Sequence, residues 1–135
     1  AVARQNAERH QLTNRIEFRC GSWFDPLVDL KAQLAGLVST PPYIPSAGVL
    51  ALQPEVTCHE PHPALDGGAD GLNDIRQLVQ RAPDYLQTGA LWLIETMAGQ
   101  SQTVQELLRQ QSSYCQPQSY SDLAGIQRFV GAERS

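Results

Sequence analysis

Residues Leu37–Tyr43, LVSTPPY, join a short apolar segment directly to two consecutive prolines. The apolar residues that follow Gly36 are typical of a buried strand. The two prolines fix two φ angles and remove two N–H donors, and each one holds the residue before it in an extended conformation. The sequence therefore predicts a strand over 37–39 that ends in a stiff segment whose carbonyl oxygens remain available as hydrogen-bond acceptors.

Apolar strands and amphipathic helices alternate on both sides of this segment. Ile16–Cys20 alternates apolar and polar side chains, and Ala90–Glu95 is an apolar run of strand length. Leu72–Gln87 has apolar residues at spacings of three and four, which predicts a helix, with Thr88 and Gly89 as its stop. The remaining predicted elements are a helix end over Ala1–Gln11, a short helix after Trp23–Leu27 that reaches Leu34, a helix near Val49–Leu52, a helix over Ser101–Gln111, and strands over Ser113–Tyr120 and Ile126–Val130.

This order of elements predicts an α/β protein. Strands that alternate with helices form a mostly parallel sheet covered on both faces. The last two strands are joined by the short loop 122–125, so we expect one antiparallel strand near the C-terminus, which mixed sheets tolerate.

Composition excludes several classes of protein. The 135 residues are enough for one domain with a core, and 41% apolar against 18% charged residues argues against disorder. A net charge of −4, with Lys31 as the one lysine, is wrong for a protein that grips a nucleic-acid backbone. The longest purely apolar run, residues 90–94, is too short to span a bilayer. We therefore expect neither nucleic acid nor a membrane as a direct partner.

The cysteines and the chain start indicate the setting. Cys20, Cys58 and Cys115 are far apart and form no CxxC pair, which favours a reducing, cytoplasmic location over a disulfide framework or a zinc ribbon. The chain begins at Ala1 with a helical pattern and without a charged-then-apolar leader. We therefore expect no signal peptide and a chain that begins inside a longer protein.

The end of the strand over 37–39 is the candidate binding site. Open α/β sheets bind ligands at the carboxyl ends of their strands. The Pro- and Gly-rich segment 41–71 that follows is a long loop, and loops of that length inside a compact domain are usually functional. The residue types alone favour a rigid turn that merely leaves a strand, and they leave the functional alternative open.

Several motifs give the chain a resemblance to a known family. Residues 37–44, LVSTPPYI, resemble the signature (I/L)-V-S-N-P-P-Y-I of the glutamine N5-methyltransferases that modify peptide-chain release factors. Further motifs match that family in order and spacing over the whole chain. They are QPEV at 53–56, EP at 60–61, ALDGGADGL at 64–72, the strand that ends at Glu95, GQ at 99–100 and DLAG at 122–125. The resemblance implies a single domain over 1–135, the C-terminal part of an N-terminally truncated, Rossmann-like methyltransferase catalytic domain.

The resemblance also implies a reaction and a set of site residues. The family transfers a methyl group from S-adenosylmethionine to a glutamine side-chain amide nitrogen of a release factor. That nitrogen is a poor nucleophile, so orientation and fixed dipoles must carry the catalysis. The positions that match the family's site are Thr40, Pro41, Pro42 and Tyr43 as catalytic and substrate-binding residues, Glu60 as a further substrate-binding residue, and Trp23 and Thr40 as cofactor-binding residues.

The first departure from the family pattern lies inside the motif. Thr40 stands where the family has Asn. A threonine hydroxyl is shorter than an amide and lacks the amide's paired donor and acceptor. We therefore expect the chain to be a weak or inactive catalyst.

The second departure is the missing glycine-rich cofactor loop, which the family places upstream of the helix that opens this chain. Gly67–Gly71 does not replace it, because no strand precedes that segment. We expect the isolated chain to bind S-adenosylmethionine only weakly. The family's first two strands would also precede this chain in sequence. In the sheet of that family, they lie between the strands that correspond to 16–20 and 37–39. Their absence predicts direct pairing of those two strands, a displaced N-terminal segment, or a homodimer through the exposed sheet edges.

Other polar groups have simpler explanations. Cys58–His62 brings together thiol, imidazole and carboxylate groups, but consecutive residues on a proline-broken loop rarely converge, so we predict no metal site. Asp70 is predicted to cap a helix. Glu95 either supports the substrate loop or is an exposed acid at a strand end.

Three hypotheses remain open from the sequence. The chain is part of an active glutamine methyltransferase, a degenerate module that binds the release factor without methylating it, or a structural remnant. Thr40 favours the second and third, whereas the intact motifs that follow favour the first.

Overall fold

The computed structural model describes residues 2–49, 51 and 61–135. The helices and strands in chain order are α1 (Val2–Arg9), β1 (Leu34–Ser39), α2 (Ser46–Val49), α3 (Asn73–Arg81), β2 (Leu86–Glu95), α4 (Ser101–Arg109), β3 (Tyr114–Ser121) and β4 (Gln127–Arg134). Short 3-10 helices cover Asp25–Leu30, His62–Ala64 and Ala82–Asp84. No helix in the described ranges is long and apolar enough to cross a bilayer.

The four strands form one sheet in the order β1-β2-β4-β3. β1 and β2 are parallel, and β4 lies antiparallel between β2 and β3. Three strands therefore run in one direction and β4 alone runs in the other, which confirms the α/β class and the antiparallel strand near the C-terminus. Because Ser39 lies opposite Ile94, the chain leaves β1 and β2 side by side at the same end of the sheet.

The core lies between one face of the sheet and the helices α3 and α4. The buried side chains of the sheet on this face include Trp92, Ile94, Val130 and Ala132. On the opposite face, Val38 is 76% and Leu91 is 53% exposed. The expectation of a sheet covered on both faces is therefore met on one face only, as far as the described residues go.

The predicted strand over Ile16–Cys20 is wrong. These residues form no strand and lie outside the sheet. The Arg4 guanidinium instead lies 4.9 Å from the centre of the Phe18 ring, and Arg19 forms ion pairs with Glu17 and Asp29. The segment with this alternating pattern has no described strand beside it, because β1 pairs only with β2 among the described strands. Of the three arrangements expected, direct pairing is therefore absent and the N-terminal segment is displaced from the sheet.

The helix predicted over Leu72–Gln87 is too long. α3 ends at Arg81, and Thr88 and Gly89 lie inside β2 rather than at a helix end. Pro83 explains the early end, since it has no N–H to donate to the Val79 carbonyl four residues before it. The Tyr114 hydroxyl donates to that carbonyl instead, at 2.8 Å. A side chain of β3 thus completes the hydrogen bonding at the end of α3.

The other predicted elements agree with the structure apart from their limits. The elements α1, α4, β3 and β4 correspond to predicted segments. The helix predicted after Trp23–Leu27 is shifted, since a 3-10 helix covers Asp25–Leu30 and Leu34 begins β1. α2 ends at Val49, and the predicted helix near Val49–Leu52 otherwise lies outside the described residues except for Ala51.

Tyr114→Phe is expected to lower the free energy of unfolding by about 1–3 kcal/mol, because the Val79 carbonyl would lose its partner inside the core. Tyr120→Phe is the matched control, since Tyr120 lies on the same strand and is 45% exposed. The control should stay within about 0.5 kcal/mol of the unmutated protein. Urea unfolding of the protein measures both variants. Equal losses for the two would contradict the role of the Tyr114 hydroxyl.

Candidate functional site

The segment 40–43 leaves the sheet at the carboxyl end of β1. Pro41 is fully buried, whereas Thr40 is exposed. No hydrogen bond from another described residue reaches the carbonyl oxygens of Thr40, Pro41 or Pro42. Within the described ranges, the two prolines therefore have the effect predicted from the sequence, a segment with unpaired acceptors at a strand end.

A cavity of about 180 Å³ opens beside this segment, and we call it the strand-end pocket. It is lined by Thr40, Pro41, Tyr43, Ile44, Ala64, Leu65 and Glu95. Three of the four predicted motif residues thus share one pocket, whereas Pro42 does not line it. The predicted substrate residue Glu60 lies outside the described residues.

Tyr43 and Glu95 meet across the strand-end pocket. The half-buried Tyr43 hydroxyl donates to Oε1 of Glu95 at 3.1 Å. Burial raises the pKa of Tyr43, the charge of Glu95 and the hydrogen bond to it act in the same direction, and the charge of Arg128 opposes them. The phenol therefore remains protonated near neutral pH and acts as a donor. The structure places Glu95 in contact with the motif rather than leaving it an isolated acid.

The main chain of Tyr43 is held from the other side by Gln100. The Gln100 side chain is buried, donates from Nε2 to the Tyr43 carbonyl at 2.9 Å, and accepts from the Met97 N–H at 2.9 Å. Gly71, with φ +77°, lies against this junction, and a Cβ there would be 2.2 Å from the Tyr43 oxygen. Sequence reasoning missed this role of Gln100, because its partner is 57 residues away in the chain.

The glycine-rich turn beneath the pocket is tied to the segment after Tyr43. Ile44 donates to the Leu65 carbonyl at 3.1 Å and accepts from the Gly67 N–H at 2.9 Å. The Asp66 carboxylate accepts from the Ser46 hydroxyl at 2.7 Å, and this bond and the Gly68 N–H lower the pKa of Asp66. The turn therefore positions the far wall of the strand-end pocket.

The prediction that Asp70 caps a helix is wrong in detail. α3 begins at Asn73 and has no side-chain cap hydrogen bond. Asp70 instead accepts from the Leu72 N–H at 3.1 Å and forms a two-point ion pair with Arg76 at 3.0 and 2.5 Å. Because the Gly71–Leu72 turn lies between Asp70 and the helix, the carboxylate does not reach the first helical N–H groups.

The two predicted cofactor residues come together in a second cavity, of about 280 Å³, which we call the Trp23 pocket. Its walls are mostly apolar and comprise Trp23, Phe24, Leu27, Leu37, Val38, Ser39, Thr40 and Leu78. The Trp23 indole N–H donates to Asp74 at 3.1 Å. Thr40 lines this pocket as well as the strand-end pocket, so the two cavities share a lining residue at the position where the chain departs from the family motif.

The absence of a metal site stays a prediction. The described ranges contain no group of three or more histidine, cysteine, aspartate or glutamate residues that could hold an ion. Cys20 and Cys115 are free cysteines. The segment Cys58–Glu60 lies outside the described residues.

The sheet order and the pockets at the end of its parallel strands define an α/β protein with a partial Rossmann-like methyltransferase fold. No family model matches the chain. Proteins named release factor glutamine methyltransferase do match it. The relative from Synechocystis sp. is 52% identical over 132 residues, which is 98% of this chain and 44% of the relative.

Two further relatives with the same name support this match. The one from Thermosynechococcus vestitus is 46% identical over 98% of the chain and 45% of its own length. The one from Gloeobacter violaceus is 44% identical over 96% of the chain and 44% of its own length. The chain is therefore a homologue of the release factor glutamine methyltransferases, which confirms the resemblance, and it spans a little under half of their length.

Proposed function

We propose that this chain is part of the catalytic domain of an S-adenosylmethionine-dependent enzyme that methylates a glutamine side-chain amide nitrogen in a peptide-chain release factor. The observation that carries the proposal is the strand-end pocket. It combines residues whose carbonyl oxygens accept no hydrogen bond from a described residue, the protonated Tyr43 hydroxyl and the Glu95 carboxylate beside Thr40.

The pocket suits a planar carboxamide. The carbonyl oxygens of Thr40 and Pro41 are acceptors for the two N–H bonds of the amide, and Tyr43 forms a wall for its flat face. Acceptors fixed by two prolines need little reorganisation when the substrate arrives, and fixed dipoles of this kind supply much of an enzyme's rate enhancement. Holding the nitrogen in one orientation adds the advantage of proximity.

The Trp23 pocket is the proposed site of the adenine end of the cofactor. Its apolar walls and the Trp23 ring fit a flat heterocycle, and it shares the lining residue Thr40 with the strand-end pocket. S-adenosylmethionine, when bound, supplies the methyl group. Trp23 and Thr40 would hold the cofactor, and Thr40 would face the cofactor and the substrate together.

We propose that the domain is completed by residues beyond this chain. Two observations support this: the relatives are more than twice as long as the region they share with the chain, and no described helix covers the sheet face that carries the exposed side chains of Val38 and Leu91. Apolar sheet faces in α/β proteins are normally covered by helices. A homodimer through the free edge of β1 stays a prediction, and so does the cytoplasmic setting based on the cysteine pattern.

The test compares the full-length protein with the isolated chain. We expect calorimetry to show micromolar S-adenosylmethionine binding for the full-length protein and weaker than micromolar binding for the chain. We also expect the full-length protein to transfer labelled methyl groups to a purified release factor, and a release factor with its acceptor glutamine replaced by glutamate is the control. Micromolar binding by the isolated chain would contradict the division of the cofactor site.

The replacement of the motif Asn by Thr40 favours a second candidate, a module that binds the release factor without methylating it. The same experiment separates the two candidates. Binding of the release factor by the full-length protein without labelling would support the module and contradict the enzyme.

A further inference from the structure

Tyr43 is held at two points by one connection of the chain. Glu95, the last residue of β2, accepts from its hydroxyl, and Gln100, just before α4, donates to its carbonyl. The side chain and the main chain of Tyr43 are therefore fixed by residues only five positions apart. The β2–α4 connection sets where this tyrosine lies.

Glu95 is a rigid anchor for the tyrosine ring. Its neighbour Ile94 pairs with Ser39 on β1, and Glu95 itself pairs with Phe129 on β4. The next residue, Thr96, donates to the Arg128 carbonyl at 2.8 Å. A carboxylate carried by a strand that is paired on both sides moves less than one on a loop, so it can define the angle of a ring that hydrogen-bonds to it.

The neighbouring cation leaves Glu95 available to Tyr43. The Arg128 guanidinium is paired with Asp122, at 2.9 Å between Nε and Oδ2. Among the described residues, no ion pair joins Arg128 to Glu95. The hydrogen bond from Tyr43 is thus the polar contact that the structure shows for the Glu95 carboxylate.

We propose that Glu95 is a positioning residue that sets the orientation of the Tyr43 ring against the target carboxamide. This inference rests on the proposed function, since it assumes that the strand-end pocket receives the glutamine side chain. Glu95 acts through Tyr43 rather than on the reacting atoms. Without the carboxylate, the ring can rotate, and the amide nitrogen is held less often in the reactive orientation.

The kinetic test uses variants of the full-length protein and a release-factor substrate. Glu95→Ala is expected to lower kcat by about 10- to 100-fold, the scale on which misplacing a reacting group acts. Glu95→Gln keeps an acceptor for the hydroxyl and should remain within about threefold of the unmutated enzyme. The double variant Tyr43→Phe with Glu95→Ala should be no slower than the slower single variant, since each change removes the same hydrogen bond. Glu106→Gln, exposed on α4, is the control.

A spectroscopic readout tests the contact without any turnover. Among the described residues, the charges that act on the pKa of Tyr43 are those of Glu95, which raises it, and Arg128, which lowers it. Removing the charge of Glu95 makes the phenolate easier to form, so the pKa of Tyr43 should fall in Glu95→Gln. Carbon-13 NMR of labelled tyrosine ring carbons measures this pKa, and Tyr43→Phe identifies the resonance.

The outcomes separate the inference from the proposed function. An active unmutated enzyme with an unchanged kcat in Glu95→Ala, or with an unchanged pKa of Tyr43 in Glu95→Gln, overturns the inference and leaves the function standing. An additive loss in the double variant also overturns it. A full-length protein that labels no release factor overturns the proposed function and, with it, the inference.

Discussion

Thr40→Asn is expected to raise the methyl-transfer rate of the full-length protein by about 10²- to 10³-fold, the effect of one preorganised polar contact at other enzyme sites. Thr40 lines the strand-end pocket and the Trp23 pocket. An asparagine there extends further than the hydroxyl and offers a carbonyl acceptor and an NH₂ donor together. The asparagine would then add a hydrogen-bond donor and a further acceptor for the substrate amide, where the proline segment provides only carbonyl oxygens.

Two controls identify the amide as the cause of the gain. Thr40→Ser keeps a hydroxyl and should leave the rate close to that of the unmutated protein. Thr88→Asn makes the same chemical change at the other end of β2, at an exposed position, and should also leave the rate unchanged. Initial rates of labelled methyl transfer measure all three variants. If Thr40→Asn gives no gain, Thr40 is not the residue that limits the methyl-transfer rate of this protein.

The local sequence predicted the parts of the fold that depend on local chemistry. Local chemistry determines the conformation of the apolar runs in β1 and β2 and of the two prolines after β1. The segment 40–43 therefore lies at the carboxyl end of β1, as these patterns predict. The segment Ile16–Cys20 has an equally good alternating pattern, but a strand also needs a neighbour to bond to. Pattern alone cannot show whether that neighbour is present.

Contacts between segments that are distant in the sequence could not be predicted from local patterns. Pro83 marks the end of α3, but nothing local indicates that Tyr114 satisfies the carbonyl that this proline leaves without a donor. The GQ motif at 99–100 matches the family pattern but predicts no contact, although the Gln100 side chain joins two segments that are 30 and 57 residues away. Only the packed structure shows that these groups meet, because the hydrogen bonds depend on the whole fold.

Gly71→Ala is expected to be far more damaging than Gly125→Ala, although the two glycines have nearly the same φ, +77° and +79°. The unfavourable left-handed backbone costs an alanine about 1–2 kcal/mol at either position. No described residue lies within 4 Å of a Cβ at Gly125, whereas at Gly71 it would be 2.2 Å from the Tyr43 oxygen and 2.7 Å from Gln100 Nε2. The comparison therefore isolates the effect of crowding this junction.

The crowding at Gly71 has a structural and a functional consequence. The Tyr43 carbonyl must move away, so the buried Gln100 amide loses the closer of its two carbonyl acceptors and keeps the Asp70 carbonyl at 3.4 Å, at a further cost of about 1 kcal/mol. We expect the urea midpoint of the full-length protein to fall clearly more in Gly71→Ala than in Gly125→Ala, and methyl transfer to fall about 100-fold in Gly71→Ala alone. Far-UV circular dichroism shows whether Gly71→Ala remains folded during the assay. Equal behaviour of the two variants would mean that the contact between Gly71 and Tyr43 does not hold the strand-end pocket in place.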